Sequence, residues 1–173
     1  MTNHPRAVDA PDGLDALAAA DAAGLREILL GVCASRAWAD AVAATRPWRG
    51  RRALLDASAA ATAALSAADL RDALAGHARI GVPGAGDATT EREQAGVRGA
   101  DPALLDELRR ANAAYEARFG QVFLICATGR TAATVLAALR ERLPNTPAAE
   151  TEIVRDELRK INEIRITRML DGA

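Results

Sequence analysis

The chain has 173 residues, with 22 basic and 23 acidic side chains and a formal net charge of −1. That is about one ordinary domain, long enough to bury a core without disulfide or metal support, and the balanced charge lacks the basic excess of a nucleic-acid binder. Half of the residues are hydrophobic, but many are alanine and only 3% are aromatic; alanine, leucine, arginine and glutamate favour helix, so composition points to packed helices and not to sheet.

Residues 1–12 are polar, carry Pro5 and Pro11 and have no apolar stretch of signal-peptide type, so they read as a flexible tail. The rest, 13–173, reads as one domain. Asp12 to Ala20 can make a short helix. Asp21 can cap a second, whose apolar stripe is Leu25, Ile28, Leu29 and Val32. Ser35 can cap a third, through Trp38 and Val42, that stops before Pro47. Residues 51–64 form an alanine-rich helix, with Arg49, Arg51 and Arg52 as its solvated start. Ser66 caps the next, through Leu70 and Leu74 to Gly76, a residue suited to a helix C-terminus.

From His77 to Thr89 the pattern breaks. Gly81, Pro83, Gly84 and Gly86 require a loop, and helix resumes at Thr90. Asp101-Pro102 is a cap followed by proline at the first helical position, and Leu104, Leu108, Ala111 and Tyr115 continue a stripe towards Gly120. Val122 to Ala127 is the longest strongly apolar run, reads as extended, and is far too short to span a bilayer. A helix from about Thr131 to Leu143, a turn over 144–147 and a last helix to about Leu170 complete the chain. The expected fold class is therefore all-α, a compact single-domain bundle of about eight helices with one short extended segment at 122–127.

Four features carry chemical possibilities. His77 is one of two histidines, the other being His4 in the tail. It stands where a helix opens onto glycines, and imidazole titrates near neutrality; a helix-end histidine also serves simply as a structural cap. Thr90 and Glu93 have capping-box spacing, and a helix start can also receive an anion. Arg165 continues the apolar stripe Val154, Leu158, Ile161, where a charge needs a partner. That partner is either a carboxylate on another helix or a carboxylate of a ligand. Cys33 and Cys126 are far apart, with no metal-ligand or disulfide spacing, and read as reduced, buried thiols of a cytoplasmic protein. No P-loop and no histidine-rich metal site is present: Gly129-Arg130-Thr131 lacks the upstream glycine that a phosphate loop requires.

In chain order, Cys33-Ala34-Ser35-Arg36-Ala37-Trp38, Arg46-Pro47-Trp48, His77-Ala78-Arg79-Ile80-Gly81, Thr90-Glu91-Arg92-Glu93-Gln94, and Phe119-Gly120 with Phe123-Leu124-Ile125-Cys126-Ala127 resemble landmarks of one family. It is the 2-oxo-4-hydroxy-4-carboxy-5-ureidoimidazoline (OHCU) decarboxylase family. The likeness runs from about residue 14 to the last helix, where Glu163-Ile164-Arg165 also fits. It implies a helical, usually homodimeric, cofactor-independent carboxy-lyase of urate degradation, acting on a small molecule without nucleic acid or membrane. It implies His77 as proton donor and Glu93 as the residue that holds and polarises it. Ala78, Thr90, Glu91, Arg92, Gln94, Arg165 and the stretch Phe123, Leu124, Ile125, Cys126 and Ala127 would contact substrate. Two positions depart from the family pattern: Ala78 stands for proline, which removes a fixed φ, and Thr90 stands for serine. The competing expectation is a non-catalytic helical interaction module, with Arg165 in an internal ion pair and His77 on a flat surface.

Overall fold

A computed structural model describes residues 13–82, 88–97 and 99–172. Among these residues it is all helical, with nine α-helices and one 3₁₀ turn. They are α1 (Gly13–Ala19), α2 (Ala22–Val32), α3 (Arg36–Ala43), α4 (Arg51–Ala63), α5 (Ala67–Ala75), α6 (Ala88–Glu93), the 3₁₀ turn (Ala95–Val97), α7 (Pro102–Phe119), α8 (Ala132–Arg142) and α9 (Pro147–Asp171). The tail over 1–12 and the loop glycines Gly84 and Gly86 lie outside the described residues.

Local chemistry sets most of the boundaries. The side chains of Asp21, Ser35, Ser66 and Asp101 accept backbone N–H groups of Gly24, Trp38, Asp69 and Ala103, which satisfies donors that the first turn leaves open. Thr131 and Thr146 do the same for α8 and α9. α7 ends at Gly120, whose φ of +68° is the left-handed conformation that glycine tolerates best. Gly76 also ends its helix, but in the right-handed region.

Two expectations need correction. Ile28 is 41% exposed, because the buried face of α2 is carried by Leu25, Leu29 and Val32 alone. Thr90 is not a cap: the helix begins at Ala88, and the Thr90 carbonyl accepts the Gln94 N–H at 3.0 Å inside it. Glu93, the other half of the expected capping box, directs its carboxylate to an arginine instead.

The apolar side chains form two cores. The first gathers α1 to α5 around α9, with Trp38, Leu54, Leu158 and Ile166 fully buried. The second joins α7 and α8 to Ile80 and Val97. Residues 122–127 form neither helix nor paired strand, yet their side chains alternate between the cores. Leu124 belongs to the first, with Val122 and Cys126 against it, while Phe123, Ile125 and Ala127 belong to the second. That alternation is the signature of extended chain. The segment is a wall between two cores, and the cleft described next lies along it.

Candidate active site

The cleft is a groove partly open to solvent. Three of its walls are His77, Ala78 and Ile80 after α5; Thr90, Glu93 and Gln94 of α6 and its end; and Phe123, Leu124, Ile125, Ala127 and Thr128. Ile161 and Ile164 of α9 close the apolar side.

His77 follows the last turn of α5, where its N–H donates to the Leu74 carbonyl at 2.9 Å. Its side chain is half-buried and faces the cleft. Gly81, four residues on, has φ +81°. Its N–H donates to Gln94 Oε1 at 3.2 Å, which ties the His77 loop directly to the end of α6. A second close approach involves Gly96, where a Cβ would lie 2.2 Å from the Arg130 carbonyl oxygen. Only glycine lets the 3₁₀ turn seat so tightly against the end of the extended segment.

Glu93 and Arg165 form a two-pronged ion pair: Nε to Oε1 at 2.7 Å and Nη2 to Oε2 at 2.9 Å. Their side chains are 11% and 12% exposed, and the third arginine edge donates from Nη1 to the Val32 carbonyl at 2.9 Å. Of the two partners open to Arg165 at the level of sequence, the protein supplies the internal carboxylate. Arg165 therefore stands behind Glu93, fixing its orientation, while Glu93 itself lines the cleft.

Buried ions hold the wall. Arg142 donates to Glu150 Oε1 from Nε at 2.9 Å and from Nη2 at 2.5 Å, and from Nη1 to the Leu124 carbonyl at 2.8 Å. The guanidinium lies 4.5 Å from the centre of the Phe123 ring, a favourable cation–π placement. Tyr115 Oη donates to Glu150 Oε1 at 2.5 Å and Asn145 Nδ2 donates to Oε2 at 2.9 Å. Burial, with the Glu150 carboxylate adding to it, pushes the Tyr115 hydroxyl well above its ordinary value, so it stays a donor. Further along, the Cys126 N–H donates to Glu157 Oε2 at 2.8 Å. Ile125 N–H and C=O and Ala127 N–H bond no described residue, so the wall presents backbone donors and an acceptor in the middle of the segment.

The structure thus brings together His77, Ala78, Thr90, Glu93, Gln94, Phe123, Leu124, Ile125 and Ala127 on one cleft. Arg165 and half-buried Cys126 stand behind it, and Glu91 and Arg92 are exposed and do not line it. Burial pushes the thiols of both Cys33 and Cys126 up, which keeps them protonated and poorly nucleophilic. Sequence reading missed Ile80, Thr128, Ile161 and Ile164 as lining residues, and Asn112, Arg142, Glu150 and Glu157 as supports. Asn112 and Glu157 were detectable, because each falls on an apolar helical stripe, as Arg165 does. Among the described residues, no three of His, Cys, Asp and Glu gather as metal ligands.

An all-helical fold with a histidine- and carboxylate-lined cleft at the seam of two cores defines a small-molecule site and narrows the class. The sequence model of the OHCU decarboxylase family matches residues 18–167. The chain belongs to the OHCU decarboxylase family. It is 46% identical over 65 residues to the uric acid degradation bifunctional protein TTL of Arabidopsis thaliana, which is 38% of this chain and 20% of that protein. It is 38% identical over 76 residues to the 2-oxo-4-hydroxy-4-carboxy-5-ureidoimidazoline decarboxylase of Amia calva, 44% of this chain and 43% of that one. The matched stretches thus span less than half the length of these curated relatives. A crystal structure of OHCU decarboxylase in the presence of (S)-allantoin superposes with TM-score 0.73 at 28% identity, covering 84% of this chain and 98% of that one. A crystal structure of (S)-allantoin synthase shares the fold, with TM-score 0.71 at 21% identity over 90% of this chain and 53% of the other.

Proposed function

We propose that this chain decarboxylates OHCU and protonates the resulting carbanion on one face to give (S)-allantoin. The observation that carries the reading is the convergence of His77, Thr90, Glu93 and Gln94 on one cleft beside a wall of open backbone groups, in a chain of this family. The C–COO⁻ bond breaks, carbon dioxide leaves, and the electron pair is delocalised into the substrate's own ring amide and imine. His77, in its cationic form, then gives its proton to that carbon and is recharged from solvent. The protein supplies orientation and preorganised donors: the Gln94 amide N–H groups and the Ile125 and Ala127 N–H groups, with Thr90 beside them on the cleft. Glu93, held rigid by Arg165, is the residue that holds His77 in place, the role the family likeness implies.

The rival reading, an interaction module, expects His77 on a flat surface. The cleft speaks against it, while the Glu93–Arg165 pair fits both. The homodimer and cytoplasmic setting that the family likeness implies belong to the same proposal, and sedimentation of the purified chain tests the first. The decisive test is to feed freshly generated OHCU to the purified chain. The reading expects (S)-allantoin well above the spontaneous rate; racemic allantoin at the spontaneous rate would contradict it.

A further inference from the structure

The residues after His77 are held by one face of α7. Positions 108, 112 and 116 are four apart and share that face. Each grips a successive residue of the loop in reverse order. A Cβ on Gly81 would lie 2.8 Å from Leu108 Cδ2, so the loop backbone rests directly on that side chain. Asn112 Nδ2 donates to the Ile80 carbonyl at 3.1 Å. Arg79 donates from Nε to Glu116 Oε1 at 2.5 Å and from Nη2 to Oε2 at 2.6 Å.

The loop therefore runs antiparallel to α7, zipped to it residue by residue. Eight helical residues cover about 12 Å, whereas two steps of the loop cover at most about 7 Å. The long Arg79 and Glu116 side chains bridge the difference, which is why the outermost grip is an ion pair and the inner two are short contacts. Asn112 is only 3% exposed, and a buried side-chain amide on an apolar stripe needs such a partner.

None of Leu108, Asn112, Glu116 or Arg79 lines the cleft. Their leverage comes from chain distance. On its N-terminal side His77 is fixed by the hydrogen bond of its N–H to Leu74, and on the other side the zipped stretch begins at Arg79. Only Ala78 lies between, and alanine imposes no fixed φ. We propose that this stripe of α7 is what sets the approach of His77 to the substrate, with Asn112 and Glu116 as positioning residues. The proposal rests on the decarboxylase reading of the cleft.

Displacing a catalytic group by about 1 Å can cost on the order of 100-fold in rate, so a loosened zip should show in kcat. Glu116 is partly exposed and the change to glutamine is nearly isosteric, so Glu116→Gln should fold normally and lose the two-pronged pair. The expected result is a fall in kcat of about tenfold with KM little changed, together with faster amide exchange over residues 79–82. Asn112→Leu, close in volume, should show the same pattern. The swap Arg79→Glu with Glu116→Arg should recover much of the lost kcat, while the loss in kcat at unchanged KM is what a merely structural role would not predict. Turnover and exchange like the parent's in both Glu116→Gln and Asn112→Leu would overturn the proposal. Absence of activity in the parent protein would instead sink the decarboxylase reading, and exchange over 79–82 would still decide whether the stripe holds the loop.

Discussion

Glu93 faces two ways: its carboxylate lines the cleft, and both of its oxygens are taken by Arg165. A carboxylate 11% exposed would be costly alone, so the arginine compensates it and fixes its plane. Removing one member of a buried pair typically costs about 3–5 kcal/mol, because the other is left uncompensated. Arg165→Met should therefore lower the unfolding free energy by about that much, read by thermal or urea denaturation. In a double-mutant cycle with Glu93→Gln the two changes should couple by about 1–3 kcal/mol; additive losses would mean that the pair contributes nothing jointly. Sequence exposed half of this arrangement. Arg165 declared itself as a charge on an apolar stripe, but its partner lies 72 residues away, and no periodicity links a helix end to a loop-bounded turn at that distance.

At the scale of elements, the unpaired stretch 122–127 depends on side chains because it has no ladder. Arg142, Glu150 and Glu157 replace strand pairing by binding its carbonyl at Leu124 and its N–H at Cys126. Glu150→Ala should strand the Arg142 guanidinium and destabilise the fold by about 3–5 kcal/mol; under the proposed decarboxylase reading it should also raise KM more than it lowers kcat. Unchanged stability in a denaturation series would contradict this role. On α7, the Arg79 guanidinium holds the Glu116 carboxyl below its ordinary value. The folded chain therefore binds that proton less readily than the unfolded one. The stabilisation is complete above the ordinary carboxylate value and is lost as pH falls through the lowered folded value. Amide exchange over 79–82, corrected for its intrinsic pH dependence, should quicken across that acidic window and should not in Glu116→Gln. The extended wall was legible as a short apolar run between glycines. Its supports were legible only in part: Glu157 falls on an apolar stripe, but nothing in the sequence shows that Arg142 and Glu150 meet beside the Leu124 carbonyl.

The whole molecule is two cores joined along a seam, with α9 running 25 residues and contributing Ile161 and Ile164 to the cleft while carrying the arginine behind it. Helix boundaries were readable because caps at Asp21, Ser35, Ser66 and Asp101 act within a few residues. The α6 start was misread because Thr90 and Glu93 satisfy a local rule that a long-range ion pair overrides. The division into two cores was hidden, since it depends on which helix faces which. Along that seam His77 and the backbone wall line one cleft, the arrangement on which the proton-transfer reading depends. The most direct measurement follows the optical activity of allantoin formed from fresh OHCU by the parent protein and by His77→Asn side by side. The parent should form the S enantiomer rapidly, and His77→Asn should lose about 10²–10⁴-fold in rate, with product drifting to the racemate of the spontaneous reaction. Near-parental production of (S)-allantoin by His77→Asn would contradict the proton-transfer reading.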